Sequence, residues 1–215
     1  MITPNLKREF VSFSEREERL SFLVERFGKY LFGHILDVGC DTAVLRARVA
    51  GLYVGIDIRG IPDVRVDLEK VPFLPFKDAS FDCVVCLDVL EHLDNLHHVF
   101  GELVRISRRF IIVSLPNNWA NARRPIERGR GHIGHYGLPP EPQLDRHKWF
   151  FSFSEALTFL QSQMLKYSVS LKELLALEKP RSWLVRMMRR LRWSSKEAYL
   201  NRYVHSLWAV FEKDE

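Results

Sequence analysis

The chain is short of cysteine, of ordered glycine motifs and of long apolar runs. Three cysteines in 215 residues, Cys40, Cys83 and Cys86, are too few and too odd in number for a disulfide framework. No G-x-G-x-x-G follows the first apolar run, where only Gly39 stands, so the fingerprint of a nicotinamide dehydrogenase is missing. No span approaches the roughly 18 uncharged apolar residues of a membrane-crossing helix. The first twenty residues, MITPNLKREFVSFSEREERL, scatter charge through what would be the apolar core of a secretory signal. These absences lead to the expectation of a globular chain in the cytoplasm.

What is present is ordinary in bulk and uneven in distribution. Apolar residues make up 47% and charged residues 27%, enough to build a real core in a chain of this length. The formal charge of +5 is concentrated: residues 120–200 hold 15 Lys and Arg against 7 Asp and Glu, leaving 17 against 20 elsewhere. A basic second half suits an acidic small-molecule substrate, a phosphate-bearing or membrane surface, or simply a solvated face. The aromatic and basic residues form no base-stacking platform, so nucleic acid is not the expected partner. The sequence does not fix an oligomeric state.

Residues 14–31 place Leu20, Leu23, Val24, Phe27 and Leu31 at helical spacing behind a Ser14-to-Glu17 capping-box pattern. HILDVG and LYVGIDI then read as strands joined by a helical TAVLRARVA, followed by VRVD at 64–67, FDCVVCLD at 81–88 and FIIVSLP at 110–116. The stripe Leu93, Leu96, Val99, Phe100, Leu103 and Val104 predicts a helix between the last two. Only Ile58 to Asp63 separate the second strand from the third, too few for a parallel crossover, so either the usual helix is deleted or the third strand is a short extended segment. Residues 117–148 read as a long irregular loop. A helix capped by Ser152 or Ser154, a strand in KYSVSL, a basic amphipathic helix over 181–200 and a final strand in YVHSLWAVF complete the chain. Apolar strands alternating with helices indicate an α/β chain whose mostly parallel sheet is covered on both faces.

A strand that ends in Asp37 and turns through Gly39 into a helix makes a crevice at the carboxyl edge of the sheet, where free backbone N–H groups attract anions. About 20 residues on, Asp57 ends the second strand, where a carboxylate can accept from both hydroxyls of a ribose. That arrangement suits an adenosine cofactor.

These segments resemble a known family. DVGCDTA at 37–43, GIDI at 55–58, LPFKDASFDCVVCLDVLEHL at 74–93 and FIIVSLPN at 110–117 are similar, in order and spacing, to the motifs of class I S-adenosylmethionine-dependent methyltransferases. The likeness is strongest to the group that includes the ubiquinone and menaquinone enzymes. It covers residues 34–117, with a weaker echo in RHKWFFSFSEALTFL at 146–160. It implies a Rossmann-like three-layer sandwich of about seven strands, the last antiparallel, in a single domain: a cofactor half over 14–116, a substrate loop over 117–150 and a C-terminal half over 151–215. The cofactor implied is S-adenosylmethionine, with Asp37, Gly39 and Cys40 at its methionine end, Asp57 and Ile58 at the ribose, Asp67 and Leu68 at the adenine, and Asp88 and Val89 beside the reacting methyl. The chain departs from the family at Asp41 and Ala43, where glycines are usual, and in the short Ile58–Asp63 connection. These departures keep a non-catalytic, cofactor- or partner-binding relative as the alternative to a methyltransferase.

Methyl transfer from a sulfonium needs proximity above all, but a hydroxyl acceptor gains from a general base. His92, after the fourth strand, is the candidate; it serves either as that base or as a brace for the next helix. His132, His135, Tyr136, Arg146 and His147 are assigned to substrate contacts in the loop. A metal site from its histidines and Asp145 is not expected, because their spacing is not diagnostic. Cys83 and Cys86, though spaced C-x-x-C, read as core cysteines. Arginines 123, 124, 128, 130 and 146 suggest an anionic acceptor, such as a phosphorylated or lipid-linked glycan. The helix at 181–200 either lies on an anionic bilayer or packs as a surface or lid helix.

Overall fold

A computed structural model describes residues 5–143 and 145–214. Eight strands form one sheet: β1 (Lys7–Phe10), β2 (His34–Val38), β3 (Leu52–Asp57), β4 (Val64–Arg65), β5 (Phe81–Leu87), β6 (Ser107–Pro116), β7 (Val169–Glu178) and β8 (Val204–Lys213), in the spatial order β1-β7-β8-β6-β5-β2-β3-β4. All neighbours are parallel except β8, which runs antiparallel to both β6 and β7. The helices are α1 (Arg16–Phe27), α2 (Leu96–Ile106), α3 (Asn118–Glu127), α4 (Phe153–Lys166), α5 (Trp183–Arg192) and α6 (Lys196–Tyr203). None is long and apolar enough to cross a membrane.

The period-2 geometry of the strands explains the two cores. β5 sends Val84 and Cys86 to the face covered by α2 and α4, and Cys83 and Val85 to the face covered by α1. The two cysteines therefore sit on opposite faces and are buried and free. Under α1, the Trp208 ring stacks on Phe27 at 5.8 Å and meets the edge of Phe22 at 5.5 Å. Burial of Leu20, Leu23 and Phe27 contributes about 2 kcal/mol each.

Several elements differ from expectation for identifiable reasons. The eighth strand, β1, was not anticipated because KREF carries three charges in four residues; it lies on the edge of the sheet, paired parallel with β7. Between β2 and β3 the predicted helix is a five-residue 3-10 turn, Val44–Arg48. No crossover helix follows β3. Because β4 pairs only two residues, Ile56 with Val64 and Asp57 with Arg65, the chain needs to retreat by only one or two residues before pairing, and six residues suffice. At α1 the Ser14–Glu17 box is replaced: Ser14 N–H and Oγ both donate to Glu18, at 2.7 and 2.9 Å. Residues 118–127 of the expected loop form α3, capped by Asn117, whose buried amide also donates to the Asn201 and Val204 carbonyls. Ser152 caps α4 in a full capping box with Glu155. The basic segment breaks into α5 and α6, with Ser195 capping the second.

The chain runs outward from β2 through β3 to β4, then returns to the other side of β2 for β5 and β6. The reversal between β2 and β5 opens a crevice at their carboxyl ends. α1 roofs that crevice and is tethered to β7 by Glu173, which accepts from Arg26 at 2.9 Å and Tyr30 at 2.7 Å and pairs with Lys29 at 2.6 Å. Burial pushes Glu173 up, but Lys29, Tyr30 and Arg26 outweigh it and hold the carboxyl at about 2. Its contribution is full above the ordinary carboxylate range and is lost as pH falls toward that value. Glu173→Gln should lower the unfolding free energy by about 3 kcal/mol at neutral pH. In urea melts the gap between variant and wild type should close as the pH is lowered toward about 2; a gap independent of pH would contradict the assignment.

Candidate functional site

The turn after β2 is shaped by three consecutive constraints. Gly39 has φ of 78°, and a Cβ there would stand 2.4 Å from Val89 Cγ2. Asp41 and Ala43 hold φ of 49° and 53°, so the left-handed geometry that the family's glycines would supply is kept without them. For Ala43 that costs about 1 kcal/mol or more. The main chain is pinned from β3: Gly39 and Cys40 N–H both donate to the Ile56 carbonyl, at 2.8 and 3.1 Å. Asp57 accepts from Asp41 N–H at 2.8 Å and Arg59 N–H at 2.9 Å. Gly60, at φ of 70°, packs where a Cβ would lie 2.1 Å from the Asp41 carbonyl oxygen, and Ile61 N–H donates to that oxygen at 2.6 Å. The anion-binding helix start expected after Gly39 is not built, since a five-residue 3-10 turn stands in its place.

Gly39, Asp57, Ile58, Asp67, Leu68, Asp88, Val89 and His92 all wall one cavity of about 860 Å³. Asp37 and Cys40 stand behind that wall. The Asp37 carboxylate is buried and accepts from Tyr53 Oη at 2.8 Å; burial pushes it up to about 6, against the pull of that hydrogen bond. Burial also lifts the Cys40 thiol to about 12, which makes it an inert packing group. Asp67 is held by Lys70 at 2.9 Å and by Glu69 N–H at 3.1 Å, and the lysine keeps its carboxyl below the usual range. Asp88, at φ of 50°, accepts from Ser114 Oγ at 2.6 Å and pairs with Arg19 at 2.6 Å.

Two wall residues from α1, Arg16 and Arg19, were not foreseen. Arg16 donates to the Gly39 carbonyl and lies 3.6 Å from Asp41. Their spacing of three on one helix face is the sequence signal that marks them.

At its other end the cavity is walled by Glu91, His92, Ile133, His135, Tyr136, Asp145 and His147. His92 Nδ1 meets the Arg146 carbonyl at 3.2 Å, while its Nε2 lies 4.0 Å from Glu91 and 3.6 Å from Asp145. Burial lowers His92, and burial with the neighbouring imidazoles of His92 and His135 lowers His147 to about 3. The Asn118 amide engages His147 Nδ1 at 2.9 Å and Tyr136 Oη at 2.7 Å. His132 and Arg146 are exposed and outside this wall; Arg146 contributes its carbonyl alone. Glu91 precedes His92 in the LEHL run and carries no sequence signal of its own. Its carboxylate is buried and has no hydrogen-bond partner among the described residues.

A methyltransferase-domain family matches residues 12–157. The chain belongs to that family. An uncharacterized protein of Methanocaldococcus jannaschii is 29% identical over 112 residues, 48% of this chain and 49% of that one. An O-methyltransferase of Aspergillus sclerotiorum is 28% identical over 95 residues, 35% and 36% of the respective chains. The chain thus spans half or less of the length of these curated relatives. The fold is that of the small RNA methyltransferase HEN1, at a TM-score of 0.60 and 15% identity, over 99% of this chain and 27% of that one.

The residues of this methyltransferase domain fit an adenosyl group. The Gly39 main chain reaches the cavity wall where a side chain would strike Val89, and Asp57 is fixed at the end of β3 by two backbone donors. The left-handed turn yields a direct check. Ala43→Gly should raise the unfolding free energy by about 1 kcal/mol in urea denaturation, since glycine adopts this φ without the Cβ clash. A loss of stability would show that the turn is not left-handed at this position.

Proposed function

We propose that this chain transfers a methyl group from S-adenosylmethionine to a hydroxyl of a small-molecule acceptor. The observation that carries the reading is the single cavity that runs from Gly39 and Asp57 to the histidines 92, 135 and 147. S-adenosylmethionine, when bound, supplies a methyl already activated by its sulfonium, so the protein's part is to hold two reactants in line. Asp57, at the end of β3, accepts from the ribose hydroxyls. Leu68 and Val66 offer an apolar wall for the adenine, and Arg16 and Arg19 place positive charge near Gly39 for a carboxylate. His92 acts with its neighbours rather than as a lone base, because Nε2, the atom that would take a proton, is turned toward Glu91 and Asp145. The curated relative named as an O-methyltransferase supports oxygen as the acceptor atom.

Among the loop and α3 arginines, 123, 124, 128, 130 and 146 all lie outside the cavity wall. Arg124 instead stands among Arg123, Arg128, Arg181 and Arg189, and burial together with their repulsion lowers its pKa. α3 also gives Asn121 and Pro125 to the cavity. The acceptor therefore carries an anionic part, phosphorylated or lipid-linked, that rests on this patch while its hydroxyl enters.

Calorimetry with S-adenosylhomocysteine is the deciding experiment. The wild type should bind one equivalent, and Asp57→Ala should weaken binding by about tenfold or more, from the charged hydrogen bonds removed. No binding to the wild type sinks the cofactor assignment; unchanged affinity in the variant moves the ribose elsewhere.

A further inference from the structure

We propose that Glu91, His92 and His147 form a binding site for a divalent transition-metal ion on the acceptor side of the cavity. Glu91 is 1% exposed, and neither of its carboxylate oxygens has a partner among the described residues. A buried carboxylate without hydrogen bonds is costly and calls for a ligand. The three residues each offer one ligand atom, and these atoms all lie within 4.8 Å of one another. Ligands about 2.1 Å from a shared ion stand about 3.4 Å apart in a tetrahedral site, so a closure of roughly an ångström completes it. His92 Nε2 and Glu91 Oε1 stand 4.0 Å apart.

The surroundings are those of oriented ligands. His92 Nδ1 is engaged by the Arg146 carbonyl, which leaves the Nε2 lone pair free; His147 Nδ1 lies 2.9 Å from the buried Asn118 side-chain amide, whose oxygen has no other partner among the described residues and, turned to face it, accepts from Nδ1–H and frees Nε2 in the same way. Metal-ligating histidines are characteristically fixed in this way through their other nitrogen. Asp145, 3.6 Å from His92 Nε2 and 3.1 Å from His135 Nδ1, is the adjacent carboxylate. Two imidazoles and a carboxylate favour Mn²⁺, Fe²⁺, Co²⁺ or Zn²⁺ over Mg²⁺ and Ca²⁺, which prefer all-oxygen sites.

The ion's role, unlike its binding, rests on the proposed methyl transfer. It would hold the acceptor hydroxyl and lower its proton affinity. The proton leaves to Asp145 or water, the oxygen lone pair forms the new C–O bond, and the C–S bond breaks with its electron pair remaining on sulfur.

The test is made on the full chain without cofactor, by titrating Co²⁺, Mn²⁺ and Mg²⁺ and following calorimetry and the visible Co²⁺ spectrum. One Co²⁺ should bind, Mg²⁺ much more weakly, and Glu91→Gln and His147→Ala should each weaken Co²⁺ by about tenfold or more. His98→Ala, outside the cavity, should leave it unchanged. In the wild type alone, Co²⁺ should give paramagnetically shifted resonances from two imidazoles, a reading that does not depend on any variant folding. Absence of Co²⁺ and Mn²⁺ binding, or equal affinity in wild type and both ligand variants, overturns the site. Either result leaves the homocysteine-cofactor titration, and hence the cofactor assignment, untouched.

An independent observation concerns α5. None of its residues is buried, and its orientation is inverted: Arg186 and Arg189 face inward, over the rings of Phe10 at 4.2 Å and Tyr203 at 4.3 Å. Trp183, Leu184, Met187, Met188 and Leu191, which share one helical face, point to solvent, Leu191 at 76% exposure. Arg190 and Arg192 are exposed beside them. We infer that this face docks on an anionic lipid bilayer, the apolar side chains entering the interface and the arginines meeting headgroups. Sedimentation with phosphatidylglycerol and phosphatidylcholine vesicles tests it. Binding should require the anionic lipid and weaken about tenfold or more in Leu184→Asp/Met188→Asp, a surface change that spares the core. Failure to bind anionic vesicles, or a dimer in ultracentrifugation that the same substitutions dissolve, overturns it.

Discussion

The hydrogen bond from Asp41 N–H to the Asp57 carboxylate joins the two ends on which the rest of the site depends. It fixes the turn after β2 against the end of β3, in a left-handed geometry that this chain builds without the expected glycines. Gly60 closes the same junction from the other side, with its backbone against the Asp41 carbonyl. The loop that replaces the crossover helix is thus part of the turn's support. The helix expected after Gly39, whose N-terminus would have offered donors and a dipole, is likewise replaced by a 3-10 turn.

The legibility of the fold in the sequence followed the strength of the apolar signal. β2, β3, β5, β6 and β8 are near-continuous apolar runs and were read directly. β1 was not, because a charged edge strand pairs through its backbone and shows little periodicity. α3 was hidden by its arginines and by Pro125, yet its Asn117 cap anchors it firmly to α6. The cavity wall from Gly39 to Val89 was legible because its residues sit at strand ends of fixed spacing. The far wall was not: Glu91 and His147 are 56 positions apart, and only the folded chain brings them to the same cavity.

Under the proposed function, the second half of the molecule has a coherent role. α3 borders the cavity on one side and the arginine cluster on the other, and α5 turns its apolar face outward beyond it. A basic surface with an exposed apolar stripe beside the cavity suits the proposed acceptor, whose anionic part would stay at an interface. The cluster of Glu91, His92 and His147 then lies where its hydroxyl would arrive. The composition asymmetry in the sequence thus reflects a surface outside the cavity; the basic residues in the wall itself come from elsewhere, Arg16 and Arg19 from α1 and others from the β3–β4 region.

The most direct test of the account is a crystal structure of the chain grown with S-adenosylhomocysteine. The account places the ribose hydroxyls within hydrogen-bonding distance of the Asp57 carboxylate, and the sulfur in the cavity between Gly39 and His92. A ligand bound elsewhere on the molecule, or a ribose that does not contact Asp57, would contradict it.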